Sequence, residues 1–434
     1  MSDKPPLLEI RNLKKYFEQN SGLLDMLLRR EPNHVQAVDD VSLTLEENES
    51  IAVIGESGCG KTTLLLTLIG LHEMTGGDII YKGRPVSEFT SAEWKRYRRN
   101  VQVVFQDPFN SLDPKMTIEE TLQEPLKIHG IGDRKERVRN VLEHVELNPP
   151  EKYLRRKPRN LSGGEKQRVS IARALILEPD IILADEPVSM LDVSTQAAVL
   201  RKMKDLIEDF GVSMIYISHD LSTVSYISDV VNVMYLGRIV ETAPTDRILA
   251  EPKHPYTEAL VSAVPIPDPN HDRERTRMSG APRDPVDLGD GCRFRDRCPS
   301  VIPPDTIEIE QEAYREIMEF RELLERDEIA FERVMNTLSG SFSDDRKMAD
   351  AIREDYFTHE LTGENNAVLK EALLAFVNEK PEVATERLRK RFESVCETSP
   401  RTVEDEDGWR VACHHYDHGV TEMQIDQPET AQSD

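Results

Sequence analysis

The chain has 434 residues, of which 38% are hydrophobic and 31% charged, and its formal net charge at pH 7 is −25. Such a length accommodates two or three domains with at least one large core, and the composition is globular rather than fibrous or membrane-embedded. The acidity argues against a nucleic acid as partner, because holding a phosphate backbone takes a basic surface.

Met1 through Leu7 carry no basic stretch leading into an apolar one, so no signal peptide is expected. No uncharged apolar run reaches the roughly 18 residues that would mark a bilayer-spanning helix. If the protein serves a membrane process, other chains supply the channel. From Leu8 to about Ala250, short apolar runs alternate with longer amphipathic stretches, the pattern of an α/β domain.

Ser50-Ile-Ala-Val-Ile-Gly55 reads as a buried strand ending in glycine, and Lys61 to Leu71 as a helix. Between them lies Gly55-Glu56-Ser57-Gly58-Cys59-Gly60-Lys61-Thr62, followed by Thr63, a phosphate-binding loop in the required strand–loop–helix context. Its glycines let backbone N–H groups turn toward phosphate oxygens at a helix N-terminus. Lys61 is placed to reach the β- and γ-phosphates and the Thr62 hydroxyl to ligate Mg²⁺.

Two further strands, Asp180 to Asp185 and Val212 to Ser218, carry acid or hydroxyl groups at their C-terminal ends, the edge where open α/β sheets bind ligands. Asp185 alone could be a helix cap, and His219 an ordinary capping histidine. Paired with the phosphate loop, Asp185 fits the Mg²⁺-holding carboxylate and Glu186 the base that orients the attacking water.

Leu161-Ser162-Gly163-Gly164-Glu165-Lys166-Gln167-Arg168, one helix upstream of the acidic strand, resembles the signature of ABC ATPases. The resemblance covers about residues 8 to 250. It implies a P-loop NTPase fold of the ABC nucleotide-binding type with a helical signature subdomain. It also implies that Ser162, Gly163 and Gly164 face ATP held by a second ABC ATPase subunit, so that dimerisation is part of the active site. His219 becomes a γ-phosphate contact. Gln106, after Val101-Gln-Val-Val-Phe105, matches the glutamine that senses Mg²⁺ and water and touches the membrane partner. Ser189-Met-Leu-Asp192 resembles the loop linking the two active sites, with Met190 where a small residue is more usual. Phe17 or its neighbour Tyr16 is expected to stack on adenine.

Three stretches narrow the resemblance to the ATP-binding subunits of oligopeptide, dipeptide and nickel importers. They are Phe105-Gln-Asp-Pro-Phe-Asn-Ser-Leu-Asp-Pro-Lys-Met-Thr117, His254-Pro-Tyr-Thr-Glu-Ala-Leu260, and the pair Gly291-Cys-Arg-Phe-Arg-Asp-Arg-Cys-Pro299 with Val411-Ala-Cys-His414. Implied partners are two transmembrane permease subunits, the second ATPase and an extracytoplasmic solute-binding protein, with this chain on the cytoplasmic face of the membrane. The long stretch between Phe17 and Val38 leans toward the second-ATPase type of a heterodimer. The rival is a soluble ABC-family ATPase acting in translation, DNA repair or cluster assembly.

Beyond Pro252 the chain turns rich in Pro, Arg and Asp up to Pro304. Helical spacing of apolar residues then resumes over Glu312–Arg326, Lys347–Glu360, Ala367–Glu379 and Glu382–Cys396. The expected division is an ATPase domain (1–252), a C-terminal extension in two parts (253–300 and 392–418), an acidic helical insertion (301–391) and a disordered tail (419–434). The insertion separates Cys298 from Cys396, where the family keeps its cysteines close. Cys292, Cys298, Cys396 and Cys413 could close a Zn²⁺ site or hold a [4Fe–4S] cluster, and the resemblance favours the cluster. Cys59 lies outside that set and is read as a reactive thiol. The excess of acid, with more Arg than Lys, resembles the proteins of salt-loving archaea.

Overall fold

The computed structural model describes residues 4–18, 34–107, 111–264, 276, 278, 280–286, 288–325, 345–378 and 380–416. The expected tail (419–434) and most of the stretch between Phe17 and Val38 lie outside them. The chain forms two compact units, residues 1–289 and 290–434.

In the first unit, β1 (Leu8–Glu18) pairs antiparallel with β2 (His34–Leu45) and with β4 (Gly76–Tyr81). A second sheet is built around β3 (Ser50–Ile54), whose five residues are all buried, as its unbroken apolar run predicts for a central parallel strand. Around it stand β5 (Val101–Val104), β6 (Ile181–Asp185), β7 (Ser213–Ser218), β8 (Val230–Tyr235) and β9 (Arg238–Pro244). Their order is β9-β8-β3-β7-β6-β5. The pairs within β8-β3-β7-β6-β5 are parallel, and β9 returns antiparallel along β8.

The register decides where chemistry collects. Ile54 pairs with Ser218 and Asp185 with Ile217, so the C-terminal ends of β3, β6 and β7 lie level. Whatever follows those strands shares one edge: the phosphate loop, Glu186 and His219. Helix α1 (Lys61–Leu68) leaves that edge from Gly60 with no side chain capping its N-terminus, so its first amides are left for another acceptor. Helix α2 (Ser91–Asn100) leads into β5 and is closed at its start by a Thr90–Glu93 capping box.

A helical group follows: α3 (Ile118–Ile128), α4 (Arg134–His144) and α5 (Gly163–Leu175). Then come α6 (Val193–Phe210), α7 (Leu221–Ile227), α8 (Thr245–Ala250) and α9 (Pro255–Ser262).

The second unit holds α10 (Gln311–Glu325), α11 (Asp345–Tyr356), α12 (Gly363–Val377) and α13 (Pro381–Phe392) around Tyr314, Ile317, Phe320, Leu373 and Phe392, followed by the hairpin β10 (Thr402–Glu404) and β11 (Arg410–Ala412). All four helical stretches expected from spacing are helices, but two end early. The run expected through Glu360 stops at Tyr356, because Glu316 accepts the backbone N–H groups of Thr358 and His359 at 3.1 Å. The run expected through Cys396 stops at Phe392. Ser394 there caps a 3-10 turn (Val395–Glu397), accepting the Cys396 N–H at 3.1 Å, while Glu397 accepts the Ser394 N–H at 2.9 Å. Among the described residues, no helix is long and apolar enough to cross a membrane.

Candidate nucleotide site

The loop Gly55–Thr62 closes over its own lysine. Lys61 is buried, and its Nζ donates to the Gly55 carbonyl at 2.7 Å and the Glu56 carbonyl at 2.9 Å. Gly60 has φ 106°, and a Cβ there would lie 1.9 Å from the Ala37 carbonyl oxygen, so β2 presses on the loop and only glycine fits. Small-molecule sites are clefts of roughly 300–1,000 Å³, and the cavity above this loop measures 780 Å³. Its floor is the loop with Lys61, Thr62 and Thr63; Gln106, Glu186 and His219 stand at one side.

The Thr62 hydroxyl donates to Asp185 at 3.0 Å, which brings two hard oxygen donors together beside the loop. Burial pushes the Asp185 carboxyl above its ordinary value, with the neighbouring Glu186 charge adding to it and the Thr62 hydrogen bond opposing it. A cation at these oxygens would offset the cost of the buried charge, so the pair fits Mg²⁺.

Glu186 sits at φ 44°, in the left-handed region that non-glycine residues seldom adopt. Its N–H is anchored to the Ile217 carbonyl at 2.9 Å, and the Ser189 hydroxyl donates to its carbonyl at 3.0 Å. This backbone aims the carboxylate at two partners. Gln106 Nε2 donates to one oxygen at 3.0 Å, and His219 Nδ1 lies 2.8 Å from the other. The three residues come from the ends of three different strands, and the level register lets them meet.

The two aromatics expected near adenine part ways, as neighbours on a strand must. Phe17 lines the cavity, with Lys15 Nζ 4.7 Å from its ring centre and His72 edge-on at 5.2 Å. The Tyr16 hydroxyl instead donates to Asp39, a buried carboxylate that also accepts from Arg238 at 2.8 Å. Cys59 does not line the cavity. It is buried at 4% exposure, and burial raises its thiol above the usual range against the pull of Lys61, so the expected reactive thiol is a packed, protonated one.

The signature residues lie outside this cavity. Ser162 caps α5 in a reciprocal box with Glu165, accepting the Glu165 N–H at 3.2 Å while Glu165 accepts the Ser162 N–H at 2.7 Å. Burial works against the Glu165 charge, but these hydrogen bonds prevail and lower its pKa. Ser162 and Gly163 are exposed, presenting a helix N-terminus outward. Asp192 likewise serves as a cap, for α6, accepting from the Thr195 N–H at 3.1 Å and the Thr195 hydroxyl at 2.7 Å.

Four cavity residues escaped the sequence reading. Val35 and Ala37 belong to β2, Leu260 to α9, and Pro285 is tied to β2 by a 2.8 Å hydrogen bond from the Gln36 N–H to its carbonyl. Leu260 ends the His-Pro-Tyr stretch already singled out; nothing in the sequence around Pro285 marks it.

In the second unit the four cysteines are neighbours. Burial raises the Cys298 thiol well above its ordinary value, and Cys292, Cys396 and Cys413 all add to the rise. Cys292 is pushed up to about 11, again by burial first and Cys396 second. Among the described residues, however, no three His, Cys, Asp or Glu side chains are arranged as a metal-ligand set.

Three family models match the chain: ABC transporter over residues 38–189, the C-terminal region of oligopeptide/dipeptide transporters over 240–303, and a domain of unknown function, DUF8228, over 311–409. Among curated proteins, the dipeptide transport ATP-binding protein DppF of Haemophilus influenzae is 44% identical over 69% of this chain and 90% of its own length. The oligopeptide transport ATP-binding protein AppF of Bacillus subtilis is 42% identical over 70% and 92%, and OppF of Escherichia coli 44% over 68% and 90%. Among solved structures, the ATP-binding cassette MJ0796, a dimer bound to ADP and Pi, is 27% identical with a TM-score of 0.48, covering 55% of this chain and 98% of that one. With about nine-tenths of each curated relative matched at over 40% identity, the chain belongs to the ATP-binding subunits of oligopeptide/dipeptide ABC transporters, ATPases coupled to peptide import.

Proposed function

We propose that this subunit hydrolyses ATP between its own phosphate loop and the signature helix of a second ABC ATPase, identical or related. The observation that carries the reading is the meeting of Gln106, Glu186 and His219 over the loop that holds Lys61. Glu186 accepts a proton from water as the water oxygen attacks the γ-phosphorus, and the bond from that phosphorus to the β–γ bridging oxygen breaks. Gln106 and His219 fix the carboxylate and the γ-phosphate side, Lys61 neutralises phosphate charge, and Phe17 offers its face to adenine. Thr62 and Asp185 would hold Mg²⁺, with Gln106 alongside, and the ion would supply positive charge against the phosphates. Ser162, Gly163 and Gly164 act on the partner's nucleotide, and Asp192 with Met190 on the link between the two sites.

The reading is tested by Glu186→Gln, which keeps the hydrogen-bonding shape and removes the base. Turnover should fall by roughly two to three orders of magnitude or more, with an ATP-bound dimer accumulating in size-exclusion chromatography. Unchanged turnover would refute the assignment of the base.

Coupling to transport runs through the Gln106 region to a pair of permease subunits at the cytoplasmic face, supplied by a solute-binding protein. Affinity capture of the tagged chain from detergent-solubilised native membranes should bring down two multi-span proteins and a second ABC ATPase. Recovery with ribosomes or repair factors instead would move the function to a soluble ATPase.

The Cys set is a separate proposal, a [4Fe–4S] cluster with Zn²⁺ as alternative. Its support is the convergence of Cys292, Cys396 and Cys413 on Cys298. Burial holds the Cys292, Cys298 and Cys396 thiols above their ordinary values and the set is not arranged as ligands, so loading would have to release protons and draw the sulfurs together. Anaerobically purified protein should be brown, with absorbance near roughly 400 nm from iron–thiolate charge transfer. Colourless protein carrying stoichiometric zinc would end the cluster reading and leave the ATP chemistry untouched.

A further inference from the structure

The peptide unit joining Gly55 to Glu56 is pinned from both sides. Its carbonyl accepts the Lys61 ammonium at 2.7 Å, and its N–H donates to the phenol oxygen of Tyr256 at 2.8 Å. In a trans peptide the C=O and N–H point in opposite directions, so the two bonds fix one orientation of the plane and a flip would break both. Tyr256 itself is held firmly. It is fully buried, its ring packs on Tyr235 at 4.7 Å between centres, and its N–H donates to His254 Nδ1 at 3.0 Å. The start of α9 is in turn tied to the sheet, because Glu241 of β9 accepts the Lys253 N–H at 2.8 Å and the His254 N–H at 2.9 Å. One turn further along α9, Leu260 lines the nucleotide cavity.

We infer that Tyr256 is a positioning residue for the ATP site: the His-Pro-Tyr helix braces the phosphate loop through the Glu56 amide and so sets where Lys61 is held. The inference rests on the ATP reading proposed above. It gives the segment His254–Leu260 a task in nucleotide binding that neither the phosphate-loop pattern nor the signature contains. Replacing the phenol by phenylalanine leaves the ring packing and removes this acceptor, so the peptide plane keeps only one of the two bonds that orient it, the one from Lys61.

The test compares nucleotide affinity, by calorimetry with ATP and EDTA present to stop turnover, for the full-length chain and three variants. Tyr256→Phe should weaken ATP binding by roughly threefold to tenfold. Tyr97→Phe, which removes another fully buried phenol, one that donates to the Leu68 carbonyl at 2.8 Å, should lower the melting temperature comparably and leave affinity unchanged. Lys61→Ala should bind far more weakly than either. Wild-type affinity in Tyr256→Phe, or equal losses in the two tyrosine variants, overturns the brace while leaving the ATP site intact. Wild-type affinity in Lys61→Ala overturns the ATP site itself. Should Tyr256→Phe not fold, hydrogen exchange on the wild-type chain decides: the Glu56 amide should be protected without nucleotide, and rapid exchange overturns the inference.

Discussion

Asp185 carries a tension that a single substitution exposes. Its carboxylate is buried, and that burial, reinforced by the Glu186 charge, holds its pKa above the ordinary 3.8. The sign follows from proton linkage. The folded state binds the proton more tightly than the unfolded one, so stability falls as pH rises from the ordinary value through the raised one, and at neutral pH the charged form is a burden. An asparagine at this position stays neutral and still accepts the Thr62 hydroxyl. Asp185→Asn should therefore raise the melting temperature of the nucleotide-free chain by up to roughly 2 °C, while abolishing Mg²⁺-dependent turnover. A melting temperature lowered by Asp185→Asn at pH 7 would mean that the carboxylate is stabilised by more than Thr62. Residue identity at this edge was legible because each motif is a short string with a fixed neighbourhood. The choice between Tyr16 and Phe17 was not, since it depends on Asp39, itself paired with Arg238, accepting the Tyr16 phenol, and no spacing rule places those three together.

At the scale of elements, the signature helix and the helix after the acidic strand meet through two small contacts. A Cβ on Gly163 would lie 3.3 Å from Leu191 Cδ2, and one on Gly164 would lie 2.7 Å from Thr195 Cγ2. The N-terminus of α5 is thus seated against the start of α6, the helix capped by Asp192. Gly164→Ala should force the two apart at a cost of about 1–3 kcal/mol for overpacking, seen as a lower melting temperature and slower hydrolysis. ATP affinity of the monomer should be retained, because neither residue lines the chain's own nucleotide cavity. Thr195→Ser keeps the hydroxyl that bonds Asp192 and deletes the offending methyl, so the double variant should recover most of both losses. No recovery would show that Gly164 is needed for its backbone and not for its size. The elements themselves were largely readable: short apolar runs for β3 and β6, and charged helices with apolar spacing in the second unit. What sequence could not supply was the ends of those helices, set by Glu316 and Ser394 reaching backbone amides that periodicity does not report.

For the whole molecule, the net charge of −25 bears on both stability and substrate capture. Like charges repel within a folded chain, and salt shortens their reach, from a Debye length of about 10 Å at 0.1 M to about 3 Å at 1 M. The melting temperature should therefore climb by several degrees between about 0.1 and 1 M KCl, the response of an acidic chain suited to concentrated salt. ATP is itself a polyanion, so the long-range field opposes its approach, and the cavity is lined by Glu56 and Glu186 as well as by Lys61. Added salt screens that distant repulsion more than the short contacts to Lys61, which are buried. The KM for ATP should then stay level or fall over the same salt range, opposite to the rise expected where a basic surface steers an anion in. A melting temperature that drops with KCl, together with a KM that climbs, would show that specific surface ion pairs and local attraction outweigh the summed charge of the chain.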